Sequence, residues 1–102
     1  MRDLYHPRVE DVGLANVLHA LSDPVRLDVV RVLAGIEEVP CSSLHATVSK
    51  STMSHHFKVL REAGVTHTRA NGTKRMMSLR LDELEERFPG LLGSILQSSK
   101  AA

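Results

Sequence analysis

The stretch that decides the reading of this chain is Ser49-Lys50-Ser51-Thr52-Met53-Ser54-His55-His56-Phe57-Lys58-Val59-Leu60-Arg61-Glu62-Ala63-Gly64. At 3.6 residues per turn, Met53, Phe57 and Leu60 recur at i, i+4 and i+7 as one apolar stripe, with His56 beside it. Lys50, Ser54, Lys58 and Arg61 form a second line, flanked by Ser51, Thr52 and His55. Ser49 suits an N-cap, because its hydroxyl can accept from an otherwise unpaired backbone N–H, and Gly64 suits a left-handed stop. The spacing predicts a short helix with one face in a core. The other face carries small hydrogen-bonding groups and cations, with no carboxylate before Glu62. That combination fits a major groove, where short polar side chains read base edges and Lys or Arg meets phosphates.

Charge along the chain agrees with this. The overall balance of +1 says little, but residues 41–80 hold seven Lys and Arg against Glu62 alone, while residues 1–40 and 81–102 are both net acidic. A basic block between acidic flanks points to a polyanionic partner for the middle of the chain.

Around the opening stretch the period changes twice. Upstream, a helical pattern starts at Val9, with Leu14, Val17, Leu18 and Leu21 on one side and Gly13 as a weak interruption; residues 1–8 read as a loose arm. Asp23-Pro24 starts a second helix over about 24–34, with Asp23 as N-cap and Pro24 at its first position. That helix is apolar around most of its circumference, which marks a buried central element. Ile36–Pro40 is a connector, and Ser42 or Ser43 caps a short helix carrying Leu44 and Ala46. Two short helices joined by a tight turn make a helix-turn-helix over 42–64.

Downstream of Gly64 the period becomes 2. Residues 65–69 and 74–80 read as strands, and Asn71-Gly72 between them is a hairpin signal, since both residues tolerate positive φ. Arg69, Lys74 and Arg75 sit at or near its tip, so the hairpin over 65–80 reads as a basic wing. Asp82 with Glu85 suggests a capped last helical region. Leu84, Phe88, Leu91, Leu92, Ile95 and Leu96 give that region an apolar side, broken at Pro89-Gly90, and residues 98–102 should fray.

The 102 residues make one domain, 1–102, mostly α with a small β-hairpin. With Tyr5, Phe57 and Phe88 as the only large aromatics, its core is thin, which favours a homodimer. A single cysteine rules out an internal disulfide framework. No apolar run reaches bilayer-spanning length and the N-terminus lacks a signal-peptide core, so a cytoplasmic protein without a membrane partner is expected. There is no glycine-rich phosphate loop, no G-x-S-x-G elbow and no H-E-x-x-H, so an enzyme is not expected.

In this setting the chain resembles the ArsR-type winged helix-turn-helix transcriptional regulators of bacteria and archaea. The residues that carry the resemblance are Ala20–Leu27 (Ala-Leu-Ser-Asp-Pro-Val-Arg-Leu), Ser51–Val65 and the basic hairpin around Asn71-Gly72, in the family's order and over roughly residues 10–80. It implies a homodimer built through the first and last helices (9–21 and 89–98), bound to a double-stranded, pseudo-palindromic DNA operator as a repressor that a signal releases. Carried over by position, Lys50, Ser51, Thr52, Ser54, His55 and Lys58 face the major groove, Arg61 lies further along the same helix, and Arg69, Lys74 and Arg75 are wing contacts. His56 matches the family's inward-facing histidine.

The chain departs from the family in two places. The segment between Cys41 and Ser49 is a residue or two shorter than usual, which truncates the first helix of the motif. The cysteine sets and C-terminal His/carboxylate sets of the family's metal sensors are also missing. No cofactor is expected, therefore. One alternative is a metal- or redox-sensing repressor using Cys41, with His45 four residues on as a second candidate ligand. The other is a winged helix that binds protein instead of DNA. The lack of Leu, Tyr or Trp anchors on the outer face of residues 50–61 argues against it.

Overall fold

A computed structural model describes residues 4–44 and 48–100. Helix α1 (Leu14–Ala20) leads into α2 (Pro24–Ala34), then strand β1 (Val39–Pro40) and a 3-10 turn at Cys41–Ser43. Helix α3 (Lys50–Glu62), the hairpin β2 (Thr66–Asn71) and β3 (Lys74–Leu79), and helices α4 (Leu81–Arg87) and α5 (Leu91–Lys100) complete the order. The sheet is antiparallel in the order β1-β3-β2, so the expected hairpin has a third strand. Val39 pairs with Met77 and Pro40 with Met76. Pro40, which has no N–H to give a ladder, is tolerated because β1 is an edge.

One cluster centred on α2, α3 and β3 forms the core. Val17, Val30, Leu33, Leu60, Val65 and Met77 are all within 1% of full burial. Helix α2 begins as its sequence requires: the Asp23 carboxylate accepts from the backbone N–H of Val25 (2.9 Å) and of Arg26 (3.1 Å), with Pro24 in the first turn. Burial raises the Asp23 pKa, but these two N–H bonds and the nearby His56 and Arg26 outweigh it, and the net shift is downward.

Five expectations change in the structure. The first helix does not run from Val9. A 3-10 turn at Val9–Asp11 is followed by extended Val12, and Gly13 becomes the N-cap of α1. Buried Val12 packs against Gly64, and the chain bends there to let it in. The described part of the arm, residues 4–8, is also held, while residues 1–3 lie outside the described residues. Pro7 is buried, its carbonyl accepts from Arg80 Nη1 (2.8 Å), and His6 Nε2 accepts from the backbone N–H of Thr68 (3.0 Å).

At the wing, Asn71 stays in β2 opposite Lys74, so the two-residue loop is Gly72-Thr73. Only Gly72 has positive φ (+64°), the glycine-first pattern of a type II′ turn. Asp82 does not cap α4, which starts one residue earlier at Leu81. This puts Asp82 and Glu83 in its first turn, where carboxylates face the positive end of the helix dipole. Glu85 serves the next helix instead, accepting from the Gly90 N–H (3.0 Å) across the expected break. Finally, α5 extends through Ser98 and Ser99 to Lys100, where fraying was expected. No helix among the described residues is long and apolar enough to cross a membrane.

The docked arm makes stability depend on pH. Burial is the largest influence lowering the His6 pKa from 6.5, followed by the charge of His67, whose ring stacks on it at 4.4 Å. Arg61 and Arg80 act the same way and a backbone contact at Leu4 opposes them. Because the folded pKa lies below the unfolded one, the unfolded chain binds more protons. This contribution is therefore complete above pH about 6.5 and is lost as pH falls through that value. Thermal melts should hold their midpoint from pH 8 to 7 and decline below about 6.5, and His6→Asn should flatten the decline. An unchanged slope in the variant would take His6 out of the linkage.

Candidate nucleic-acid interface

The outward face of α3 is set by what holds its inner face. Met53, His56 and Leu60 are buried and Phe57 is half-buried. The inward histidine is fixed by a residue of α2: Arg26, 7% exposed, directs Nη1 at His56 Nδ1 (3.1 Å). The same guanidinium donates from Nε to Ala20 O (2.7 Å) and from Nη2 to His19 O (3.2 Å), the last carbonyls of α1. An arginine can only donate, so His56 Nδ1 accepts and its proton sits on Nε2, toward the Asp23 carboxylate 3.9 Å away. One buried cation thus ties together α1, α2 and α3. Sequence reading passed over Arg26, because a charge within an apolar helix reads as surface; Asp23 three residues before it and His56 far downstream do not announce a contact.

Both ends of α3 are closed as its sequence suggests. Ser49 Oγ accepts from the Thr52 N–H (3.2 Å) and donates to Thr52 Oγ1 (2.9 Å), and it lies 3.2 Å from Ser51 Oγ. At the other end Gly64 (φ +86°) completes a Schellman pair: Gly64 N–H donates to Arg61 O (3.1 Å) and Val65 N–H to Leu60 O (3.0 Å).

With the helix seated this way, Lys50, Ser51, Thr52, Ser54, His55 and Lys58 all lie on its exposed side. Lys74 and Arg75 are exposed at the start of β3. These four cations, Lys50, Lys58, Lys74 and Arg75, have no ion-pair partner among the described residues.

The remaining basic residues of the middle block have other duties. Arg69 donates through both arms of its fork to Glu38 (2.7 and 2.6 Å), and this bond holds the Glu38 carboxyl below its usual range. Arg80 is buried; besides Pro7 it grips Glu83 through Nε (3.0 Å) and Nη2 (2.9 Å). Arg61 is half-buried and lines a cleft under the wing, with its Nε out of solvent. Sequence counting treats all seven cations alike. Only the tertiary structure separates free charges from internal ones.

Between β1 and α3 the expected short helix is a single 3-10 turn at Cys41–Ser43, and Leu44 has already left helical geometry. The rest of that expectation, including His45, lies outside the described residues. Cys41 is half-buried; burial pushes its thiol up, against the pull of Arg75 and Arg61, so it stays protonated at neutral pH and is a poor nucleophile. Among the described residues no three His, Cys, Asp or Glu side chains gather closely enough to hold a metal ion.

The chain is similar to known proteins. A family model described as a helix-turn-helix domain matches residues 21–69. The HTH-type transcriptional regulator YceK of Bacillus subtilis (strain 168) is 38% identical over 89 residues, spanning 84% of this chain and 89% of that protein. An arsenical resistance operon repressor of Staphylococcus xylosus is 38% identical over 73 residues, 71% of this chain and 70% of that one. Among solved structures, an ArsR-like transcriptional regulator from Rhodococcus sp. RHA1 matches with a TM-score of 0.64 at 25% identity, covering 86% of each chain. Similarity over this much of the length, at this identity, carries the assignment with it: the chain belongs to the ArsR-type family of winged helix-turn-helix transcriptional regulators, which bind DNA.

Proposed function

We propose that this protein is a homodimeric, cytoplasmic repressor that occupies a double-stranded operator through α3 and the wing and leaves it in response to a signal. One observation carries the reading: Lys50 and Lys58 border an exposed Ser/Thr/His face on a helix whose orientation is locked by Arg26 and His56, and with Lys74 and Arg75 of the wing they have no ion-pair partner among the described residues. Ser51, Thr52, Ser54 and His55 read base edges, while Lys50 and Lys58 meet the phosphates beside them. Lys74 and Arg75 follow the backbone from the wing. Arg69 already gives its fork to Glu38, and Arg61 is half-buried with its Nε out of solvent, so neither is among the proposed direct contacts.

The dimer has support from apolar surface. Leu14 and Leu18, one turn apart on α1, are 46% and 44% exposed. Val17 and Leu21 line one small cavity with Leu84, Phe88, Leu91 and Leu92, which seats α5 beside α1, and Leu91, Ile95 and Leu96 of α5 are only half-buried. Pairing this apolar surface across a two-fold axis sets the two α3 helices into successive major grooves, about 34 Å apart.

The experiment is in vitro selection of DNA by the purified protein, followed by salt titration on the selected site. Wild type should enrich an inverted repeat, and His55→Ala should alter the enriched half-site. Lys58→Ala should weaken binding to all sequences and reduce the slope of log K against log salt by about one unit per lost phosphate contact, hence about two in a homodimer. An unchanged slope would remove Lys58 from the backbone contacts, and failure to enrich any sequence would overturn the operator reading.

A further inference from the structure

A cleft of about 490 Å³ opens between α3, the Cys41–Ser43 turn and the inner face of the wing. Its size lies within the usual range for small-molecule sites. Its apolar walls are half-buried Val48 and Phe57, with buried Leu44, Met53 and Met77 behind them. Three cations reach it: Lys50 from the start of α3, Arg61 from its last turn and Arg75 from β3. No carboxylate lines it among the described residues, and none of the three is ion-paired there.

A second observation points the same way. Arg61 Nε and Thr68 Oγ1, on two of the lining residues, are out of solvent and have no hydrogen-bond partner among the described residues. Buried polar groups are nearly always satisfied, and of the three that lack a partner among the described residues, Thr66 Oγ1 being the other, two belong to residues that line this cleft. Apolar walls alone would suit any hydrophobe, and cations alone any anion. The two together select a molecule that has both parts.

We propose that this cleft binds a small amphiphilic acid, with an aromatic or branched apolar body against Val48 and Phe57 and a carboxylate at the Arg61 and Arg75 guanidinium groups. Charge complementarity supports the choice: a carboxylate supplies the acceptors that this cluster lacks, and Arg is the side chain best shaped to take them. Inorganic phosphate would leave the apolar walls uncovered.

The position also gives the occupant a consequence, which rests on the DNA-binding reading above. Lys50, Ser54 and Arg75 line the cleft and are also assigned to the operator face. A bound acid draws Lys50 and Arg75 inward and cancels part of their charge. Operator affinity therefore falls when the cleft is filled, and by reciprocity DNA weakens binding of the acid.

The probe is 2-naphthoate, whose fluorescence is easily followed in a chain with no Trp. Its neutral counterpart, 2-naphthalenemethanol, keeps the body and lacks the charge. Wild type should bind naphthoate saturably, one per chain, with Kd roughly in the range 10–500 µM, and bind the alcohol about tenfold more weakly. Arg61→Gln should weaken naphthoate by about tenfold and leave the alcohol unaffected. Val48→Trp should fill the cleft and abolish both.

Absence of saturable binding, equal affinity for acid and alcohol in wild type, or displacement of naphthoate by an equal concentration of inorganic phosphate would overturn the site. If Val48→Trp fails to fold by circular dichroism, Arg61→Gln and the acid-to-alcohol ratio still decide. Naphthoate should also release the selected DNA, raising its Kd by about tenfold. Binding of both with no mutual effect would overturn the coupling. Saturable naphthoate binding by a protein that enriches no DNA would leave the cleft standing and remove the operator reading instead.

Discussion

Replacing Arg26 by alanine is expected to lower the melting midpoint by about 15 °C or more and to abolish operator binding at temperatures where wild type is folded. The guanidinium donates to the carbonyls of His19 and Ala20 and to Nδ1 of His56, and the last two bonds are out of solvent. Alanine takes the guanidinium donor away from Ala20 O and His56 Nδ1, while His19 O keeps Ser22 Oγ and the Ser22 N–H, and it opens a hole among buried side chains. Breaking a buried charged network of this kind costs about 3–5 kcal/mol, a large share of the roughly 5–15 kcal/mol that stabilises a domain. Lysine in the same place keeps the charge but reaches fewer of the three acceptors, so Arg26→Lys should fall between. A double-mutant cycle with His56→Ala separates the α2–α3 tie from the capping of α1. A fall of under about 3 °C for Arg26→Ala would show that the network is worth little.

The second large effect is at the end of α3. Gly64→Ala should cost about 2–4 kcal/mol, from two causes that add. At φ +86° an L side chain is strained, and its Cβ would sit 2.5 Å from Val12 Cγ2 and 3.4 Å from Pro7 Cγ. Val12 is itself buried, and Pro7 is the foot of the arm, so neither can easily withdraw. Gly90→Ala is the control, because φ is +78° there but nothing lies within 4 Å of the added carbon. It should cost only the backbone strain, about 1–2 kcal/mol. If the two variants melt together, the close approach to Val12 contributes nothing.

These expectations show which parts of the site were written locally. The Ser49 cap, the Met53/Phe57/Leu60 stripe, the Gly64 stop and the division of His55 from His56 depend on residues within one or two turns, where helical spacing decides which way a side chain points. The Asp23-Pro24 start of α2 and the Pro89-Gly90 break are local in the same sense. Where the reading slipped, the deciding contact came from far along the chain. Val12 meets Gly64 and so splits the first helix, Thr68 holds His6, and Arg80 holds the Pro7 carbonyl. The strand at Val39–Pro40 is similar: two residues form it only because β3 presents Met76 and Met77 to pair with.

Charge divides in the same way. From residue types alone, a basic middle segment and its polyanionic partner could be inferred, since composition does not depend on where the chain goes. Which cations face outward could not. Arg69 finds Glu38 31 positions away, Arg26 finds His56 30 positions away, and Arg61 turns toward the cleft, while Lys50, Lys58, Lys74 and Arg75 stay in solvent. The sequence by itself determined helix α3, its boundaries and its two faces, because these follow from the periodicity of a single helix. Only the tertiary structure decided which charges are free, what anchors the helix from behind and where an acid-sized cleft opens beneath the wing, because each of these is a meeting of residues that the chain keeps far apart.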